Sequence, residues 1–358
     1  MTMRVLVAMS GGVDSSVAAA LLVEAGHDVE GATMKLWGGD SDSGCCSVAD
    51  VADARRVAQQ LSIVHHVFAF GDDFDRHVVE PYVADHVAGR VPNPCIECNR
   101  HLKLDRFLQR ALVLGFDAIA TGHHAQVTGG PHGPSARWHL RRGADADKDQ
   151  SYVLHVADQT VLSMLRLPIG HLTKSAVRAD AARLGLRTAN KPDSQDVCFI
   201  TSTEGRARFL AARVPLHPAA VFDRLGAPLG SVAAVETVTL GQRKGLGPGV
   251  ATAGEPQYVV DIDVSARRVV LGPADDLLRN EAAIDTAPGR AVWPGGEPHD
   301  GERVFAQCSA HGPAIAAVYR PGGRVRFVAP ARVVASGQSI VLYRGEDPSD
   351  CLGGGPAL

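Results

Sequence analysis

A chain of 358 residues is long enough for two or three domains with cores of their own. Hydrophobic residues make up 45% and charged residues 21%, the balance of a globular protein in water. The net charge of −3 excludes a protein that coats nucleic acid by bulk charge but leaves room for local basic surfaces.

No apolar run reaches the ~18 residues of a membrane span, so none is expected. The first apolar run is too short for a signal peptide and leads straight into a glycine loop, so a cytoplasmic protein is expected. The seven cysteines are Cys45, Cys46, Cys95, Cys98, Cys198, Cys308 and Cys351. An odd count without a secretion signal argues against a disulfide scaffold and for reactive or metal-bound thiols at some positions.

Val5-Leu6-Val7-Ala8 reads as a buried parallel strand, and Val17 to Ala25 as a helix. Between them stands Ser10-Gly11-Gly12-Val13-Asp14-Ser15-Ser16. A strand, a Gly-Gly turn with hydroxyls, and a helix N-terminus together make an anion site. No lysine follows the glycines, so this is not the GxxxxGK[ST] loop.

Val29 to Met34, His65 to Phe70 and Asp117 to Thr121 read as further strands. Ser47 to Leu61, Asp73 to His86 and Asn99 to Leu114 read as helices, the first with a capping box from Ser47 and Asp50. Alternation of this kind predicts a parallel sheet with helices on both faces. Ligands of such sheets sit beyond the carboxyl ends of the strands, where Ser10, Met34 and Gly122 lie.

Gly89 to Cys98 carries two prolines and reads as a loop, with Cys95-x-x-Cys98 ending where the next helix begins. Three readings stand: a nucleophilic or redox thiol, half of a metal site, or two bystander cysteines. Arg100, Lys103, Arg106 and Arg110 fall roughly on one face of the following helix, either tracking phosphates or solvated. His123 and His124 follow a strand end. Trp138 to Arg142 reads as a short strand. Asp147 to Tyr152 is a polar string ahead of an apolar helix. Cys198 lies in the apolar run Val197 to Ile200, the usual setting of a core thiol.

Beyond residue 200 the pattern changes. Tyr258 to Val264 and Arg268 to Leu271 read as a hairpin, and Gly241 to Gly247 as a basic glycine-rich loop. Arg303 to Cys308, Ala314 to Tyr319, Arg324 to Val328, Ala331 to Val334 and Ser339 to Tyr343 read as strands of a small β-barrel. Leu352 to Leu358 reads as a disordered glycine-rich tail. From Arg303 to Gly345 the chain holds six arginines and no Asp or Glu, which suggests a polyanion contact or a solvated face.

Ser10 to Ser15 resembles the pyrophosphatase loop of enzymes that split ATP between its α and β phosphates. Further strings narrow the resemblance: Pro92-Asn93-Pro94-Cys95 with Cys98-Asn99, Thr121-Gly122-His123, Lys148 to Tyr152, Asp196 to Phe199, and Gly241 to Gly247. With Ala8 to Ser15 they resemble the bacterial tRNA-specific 2-thiouridylases, MnmA type, over nearly the whole chain.

The resemblance implies an α/β ATP-binding domain like the adenine nucleotide alpha hydrolases at 1–200, a small central domain at 201–276 and a tRNA-contacting β-barrel at 277–358. It implies ATP-dependent 2-thiolation of the wobble uridine in tRNAs for Lys, Glu and Gln. The C2 oxygen would be adenylated and sulfur delivered from a cysteine persulfide. Implied cofactor contacts are Ala8, Met9, Ser10, Gly11, Gly12, Val13, Asp14, Ser15, Met34 and Gly122, with ATP and Mg2+. Cys98 is the implied nucleophile and Cys198 the persulfide carrier, passing through a transient Cys98–Cys198 disulfide. His123, Lys148, Asp149, Gln150, Val318, Tyr319 and Gln338 match tRNA-contacting positions. The implied partners are tRNA and a sulfur donor such as a cysteine desulfurase or sulfur relay protein, with no membrane.

The chain departs from the family pattern at two positions. Cys95 stands where some members have Asp, so Cys95, Cys98 and Cys198 could instead hold an iron–sulfur cluster. His124 stands where members usually have Tyr. The alternatives are thus an iron–sulfur tRNA thiolase, a non-catalytic nucleotide-dependent RNA-binding protein, and a small-molecule amidating synthetase.

Overall fold

The computed structural model describes residues 2–36, 47–130, 136–192, 197–200, 205–247, 250 and 256–358. Among these residues the strands form three sheets. The first is parallel and holds β1 (Arg4–Ala8), β2 (Asp28–Lys35), β3 (His65–Ala69) and β4 (Ala118–Ala120). A hairpin, β5 (Ala125–Gly129) and β6 (Trp138–Arg142), follows, and β7 (Leu165–Arg166) completes the sheet in the order β3-β2-β1-β4-β7.

β1 is central because all its side chains after Arg4 are buried. Leu6 packs into one apolar cluster while Val5 and Val7 pack into another, so helices cover both faces. The chain runs outward from β1 through β2 to β3, then returns to pair β4 on the other side of β1. That reversal opens a crevice at the carboxyl end of β1, where ligands of open α/β sheets bind.

The central sheet is mixed. It contains β8 (Ala219–Phe222), β9 (Pro228–Val232), β10 (Tyr258–Asp263) and β11 (Arg268–Gly272), with β8 and β11 parallel and the other pairs antiparallel. The third sheet is antiparallel. Its strands are β12 (Leu278–Ala283), β13 (Arg303–Gln307), β14 (Ala314–Arg320), β15 (Arg324–Arg332), β16 (Ser339–Arg344) and β17 (Asp350–Pro356), ordered β12-β15-β14-β13-β16-β17-β6-β5. The hairpin from the first half of the chain therefore extends the sheet of the last third.

Two sequence expectations change here. Arg324 to Val328 and Ala331 to Val334 are not separate strands: β15 runs through Pro330. The proline is tolerated because it lies beyond the pairing with β14 and within a register irregularity against β12. The glycine-rich tail is not disordered but is β17, buried over most of its length. A Cβ on Gly354 would lie 2.0 Å from the Ile340 carbonyl oxygen, and one on Gly353 2.1 Å from that of Val292. The glycines are there because backbone meets backbone on both sides.

Candidate active site

The loop after β1 leads into helix α1 (Val13–Glu24), whose N-cap is Gly12 with no side-chain cap. The first N–H groups of α1 are thus left for an anion. Gly11 adopts φ +72°, and a Cβ there would lie 2.3 Å from the Asp50 carbonyl oxygen. Both facts require glycine. Asp50 sits in the first turn of α2 (Val48–Gln60), fixed by the predicted capping box with Ser47. Ser15 Oγ lies 3.2 Å from the Ser10 backbone nitrogen, and Ser16 Oγ donates to the Gly12 carbonyl at 2.7 Å.

Two lysines that the sequence reading did not single out border this loop. Lys174 Nζ donates to both carboxylate oxygens of Asp14, at 2.8 and 2.7 Å. Lys191 Nζ bridges Asp50 and Asp53 at 2.6 and 2.8 Å. His124 Nε2 stands 3.3 Å from Asp14 Oδ1. Burial pushes the Asp14 carboxyl up, but the bonds from His124 and Lys174 outweigh it and hold it below its ordinary value. His124, in the place where tyrosine is usual, thus touches the loop's own aspartate. Both lysines come from distant segments, and no local motif marks them.

Two clefts flank the loop. One, of about 250 Å³, is lined by Ala8, Met9, Ser10, Asp14, Ser15, Met34, Gly122 and His123, with Lys103 at its wall. The other, of about 410 Å³, is lined by Gly12, Val13, Asp14, Lys148, Asp149, Lys174, Lys191 and, from the third sheet's region, His311. Gln150 lines both and is locked by reciprocal bonds: His124 N donates to its side chain at 2.9 Å and its own N donates to the His124 carbonyl at 2.8 Å. Of the residues named for the nucleotide, all but Gly11 line one or both clefts, whereas the row of basic residues after Cys98 does not converge. Lys103 reaches the smaller cleft, Arg100 turns to Glu97, Arg106 pairs with Asp73, and Arg110 lies over Phe68.

His123 is buried and hydrogen-bonded through Nδ1 to Thr121 Oγ1 at 2.7 Å. Burial holds it neutral, well below the ordinary histidine range, with Lys103 and His124 adding to the effect. Asp149 is a structural hub: Arg142, the Gly143 and Ser151 N–H groups and the Ser151 hydroxyl all donate to it. Lys148 remains at the cleft edge. Val318 is half-buried on β14. Tyr319 turns its ring into the barrel core with its hydroxyl on Glu297, and its backbone N–H and C=O are bonded to Glu302 and Gly301, so the residue is held by the protein itself. Gln338 donates to the Val91 carbonyl at 2.7 Å, stitching the barrel to the segment before Cys95.

The proline segment is helical sooner than expected. Asn93 caps a helix that starts at Pro94, the first-turn position where proline is tolerated, and runs through a π-helical stretch, Cys98–Arg106, to Val113. Cys98 is one turn in, not at the helix tip. It is buried, and Cys198 packs against the same apolar cluster. Neither thiol lines either cleft. Cys45, Cys46 and Asp193 to Asp196 lie outside the described residues.

Cys95 is exposed while Cys98 is buried, and among the described residues no group of three His, Cys, Asp or Glu side chains is arranged to hold a metal ion. The Cys95, Cys98 and Cys198 set therefore does not fit an iron–sulfur cluster in this conformation. The open N–H groups at Gly11–Gly12 and the adjacent lysines do fit the phosphates of ATP. No helix among the described residues is long and apolar enough to cross a membrane.

A parallel sheet with a Gly-Gly anion loop at its switch point defines an ATP-using α/β domain of the HUP class. Residues 3–202 match the family described as the tRNA methyl transferase HUP domain, and residues 289–357 the aminomethyltransferase beta-barrel domain. The tRNA-specific 2-thiouridylase MnmA of Herpetosiphon aurantiacus is 44% identical over 352 residues, covering 95% of each chain. That of Mycolicibacterium smegmatis is 45% identical over 361 residues, covering 97% of each. The chain belongs to the tRNA-specific 2-thiouridylase MnmA family. Among solved structures, a 4-thiouridine synthetase–RNA complex with bound ATP aligns with 55% of this chain and 45% of its own at 19% identity and a TM-score of 0.37.

Proposed function

We propose that this chain carries out ATP-dependent 2-thiolation of the wobble uridine in tRNAs for Lys, Glu and Gln. Membership of the 2-thiouridylase family makes it a sulfurtransferase acting on tRNA. The observation that carries the residue assignment is one arrangement. A phosphate-type loop shares a crevice with His123 and Gln150, while Cys98 and Cys198 share the apolar cluster on one face of the same sheet.

In this reading the uracil C2 oxygen attacks the α-phosphate of ATP, and pyrophosphate leaves into the Gly11–Gly12 cradle. Lys174 and Lys191 supply fixed positive charge beside it. Magnesium, when bound with ATP, further neutralises the phosphates. Both Asp14 oxygens are already on Lys174, so Asp14 is not free to hold the ion. Neutral His123 can donate or accept at the base edge.

Sulfur arrives as a persulfide on Cys198, supplied by a desulfurase or relay protein. The Cys98 thiolate attacks the inner sulfur, which forms a Cys98–Cys198 disulfide and expels hydrosulfide. Hydrosulfide adds to C2, and AMP departs with the former oxygen. A dithiol reductant resets the two cysteines. Because neither thiol lines the nucleotide clefts, the segments bearing them must rearrange when tRNA binds. The domain division that goes with this reading is 1–200, 201–276 and 277–358.

The test combines purified protein with wobble-uridine tRNA, ATP, magnesium and a persulfide donor, and digests the tRNA for nucleoside mass spectrometry. The expected result is 2-thiouridine at the wobble position with one AMP formed per sulfur transferred. Binding of tRNA without ATP turnover would instead identify a non-catalytic RNA-binding protein. Pyrophosphate release independent of tRNA would point to a small-molecule synthetase.

A further inference from the structure

The six arginines between Arg303 and Gly345 are divided by the fold. Arg320 pairs with Asp300 at 3.1 Å, and Arg344 with Asp350 at 2.8 Å. Arg332 donates to the Gly241 carbonyl at 2.6 Å and lies over the Tyr258 ring. Arg344 ties β16 to β17 and Arg332 docks the third sheet on the central one, whereas Arg320 stands opposite Arg324 on the sheet and is neutralised by the exposed Asp300. Arg303, Arg324 and Arg326 are exposed and, among the described residues, have no ion-pair partner.

Strand register puts these three on one face. Val318 on β14 is the direct partner of Arg303 on β13 and of Arg326 on β15. Directly opposed residues point to the same side of a sheet, so Arg303 and Arg326 flank Val318 with backbones about 10 Å apart. Arg324 is two residues from Arg326 and shares that side. The alternate residues Val304, Ala317, Tyr319, Val325 and Phe327 are all buried, so this side is the outer one. Val328, 73% exposed, continues it as an apolar strip. The acid standing opposite in register, Glu281 on β12, forms no ion pair with Arg326 among the described residues.

Unpaired guanidinium groups on a rigid face repel one another, and a polyanion relieves that repulsion. Guanidinium forks match phosphate oxygens in pairs. In the sheet order β14-β13-β16-β17-β6, four strand spacings separate Val318 from β6, the strand that leads to Lys148 and the nucleotide crevice. At about 4.8 Å per strand that is roughly 19 Å along the sheet. A ligand touching both places must be extended.

We propose that Arg303, Arg324 and Arg326 form a phosphate-tracking face for the double-helical body of the tRNA, away from the reacting base. The proposal rests on the tRNA reading above. It gives β14 a contact role through its flanking arginines rather than through the buried Tyr319 ring. It also predicts that the face reads phosphate positions and not base sequence.

The experiment compares the wild type with the double variant Arg303→Gln, Arg326→Gln. Equilibrium binding is measured against full-length tRNA and against its isolated anticodon stem-loop, from about 50 to 200 mM salt. For full-length tRNA the plot of log affinity against log salt should become shallower by about 2, close to one unit per lost phosphate contact. Stem-loop binding should keep the wild-type slope, and Arg303→Lys, Arg326→Lys should restore the slope on full-length tRNA. Unchanged slopes on full-length tRNA, or equal losses on both RNAs, would overturn the proposal. Failure of the wild type to bind either RNA would instead sink the tRNA reading itself. Circular dichroism of the variant separates lost contact from lost fold.

Discussion

Lys174 holds Asp14 from both sides, its Nζ lying 2.8 and 2.7 Å from the two carboxylate oxygens. Asp14 is half-buried in the first turn of α1, so removing the ammonium leaves a partly desolvated carboxylate with only His124 beside it. Lys174→Met should reduce tRNA-dependent pyrophosphate release about 100-fold or more, by removing fixed positive charge next to the leaving group. It should also lower stability by about 1–3 kcal/mol. A phosphate-release assay and a thermal melt check the two effects separately.

Gly11→Ala tests the loop without touching a charge. The new methyl group would lie 2.3 Å from the Asp50 carbonyl oxygen, on a backbone with φ +72°. Either α2 moves or the loop changes shape, at about 1–3 kcal/mol for the strained backbone alone. ATP cleavage should fall sharply, and the melt should drop with it. Gly12→Ala, which has ordinary φ and only Ser10 Oγ nearby at 3.5 Å, should be much milder in stability.

Cys98→Ser and Cys198→Ser should separate the two half-reactions. Both variants should release pyrophosphate from ATP in the presence of tRNA yet accumulate no 2-thiouridine. With hydrosulfide supplied directly, Cys98→Ser should regain activity, because its assigned task is to liberate that species. Retention of full persulfide-dependent activity by either variant would remove it from the sulfur relay.

Four histidines set an acid limit on stability. Burial pushes His65, His86 and His155 down to about 4 and His123 well below its ordinary range, from an unfolded value of 6.5. Between these values the unfolded chain binds protons that the folded chain refuses. Stability should therefore be complete above about pH 6.5 and fall as pH drops toward 4, by about 1.4 kcal/mol per pH unit for each histidine. The His155 Nδ1 donates to the Tyr152 carbonyl at 2.7 Å, while its Nε2 is buried with no hydrogen-bond partner among the described residues. Thermal melts from about pH 4.5 to 8 should show the fall, and His155→Gln should flatten it by about a quarter.

The barrel is joined to the crevice by polar groups that a conservative change can probe. Tyr343 on β16 places its hydroxyl 2.9 Å from Ser151 Oγ, and Arg142 stacks 3.6 Å from its ring centroid while pairing with Asp149. Tyr343→Phe should cost about 1 kcal/mol, the worth of one buried hydrogen bond. A larger loss of tRNA affinity than of stability would show that the Lys148–Gln150 string depends on this anchor.

The Gly-Gly loop, the alternation of strands and helices, and the capping box at Ser47 were legible because each is local. They depend on turn conformation, side-chain period and residues three apart. The helical start at Pro94 is also written locally, in Asn93 followed by proline, since a proline that breaks a helix interior is tolerated in its first turn. The tail was misread because glycine has two opposite uses, chain freedom and close backbone packing. Only the neighbours at Ile340 and Val292 distinguish them.

By itself the sequence determined the parallel α/β class, the anion loop and the family, since these follow from short-range pattern and from matching strings. Tertiary structure alone decided three things. It brought Lys174 to the loop's Asp14 from 160 residues away in the chain, and Lys191 to the neighbouring Asp50 from 141 residues away. It joined the β5–β6 hairpin to the last strand of the chain across 211 residues, through His139 and Asp350. It sorted six similar arginines into three with partners and three that, among the described residues, have no ion-pair partner. The reason is common to all: a charge is assigned to a partner by distance in space, and no period or spacing along the chain encodes which distant residue will stand there.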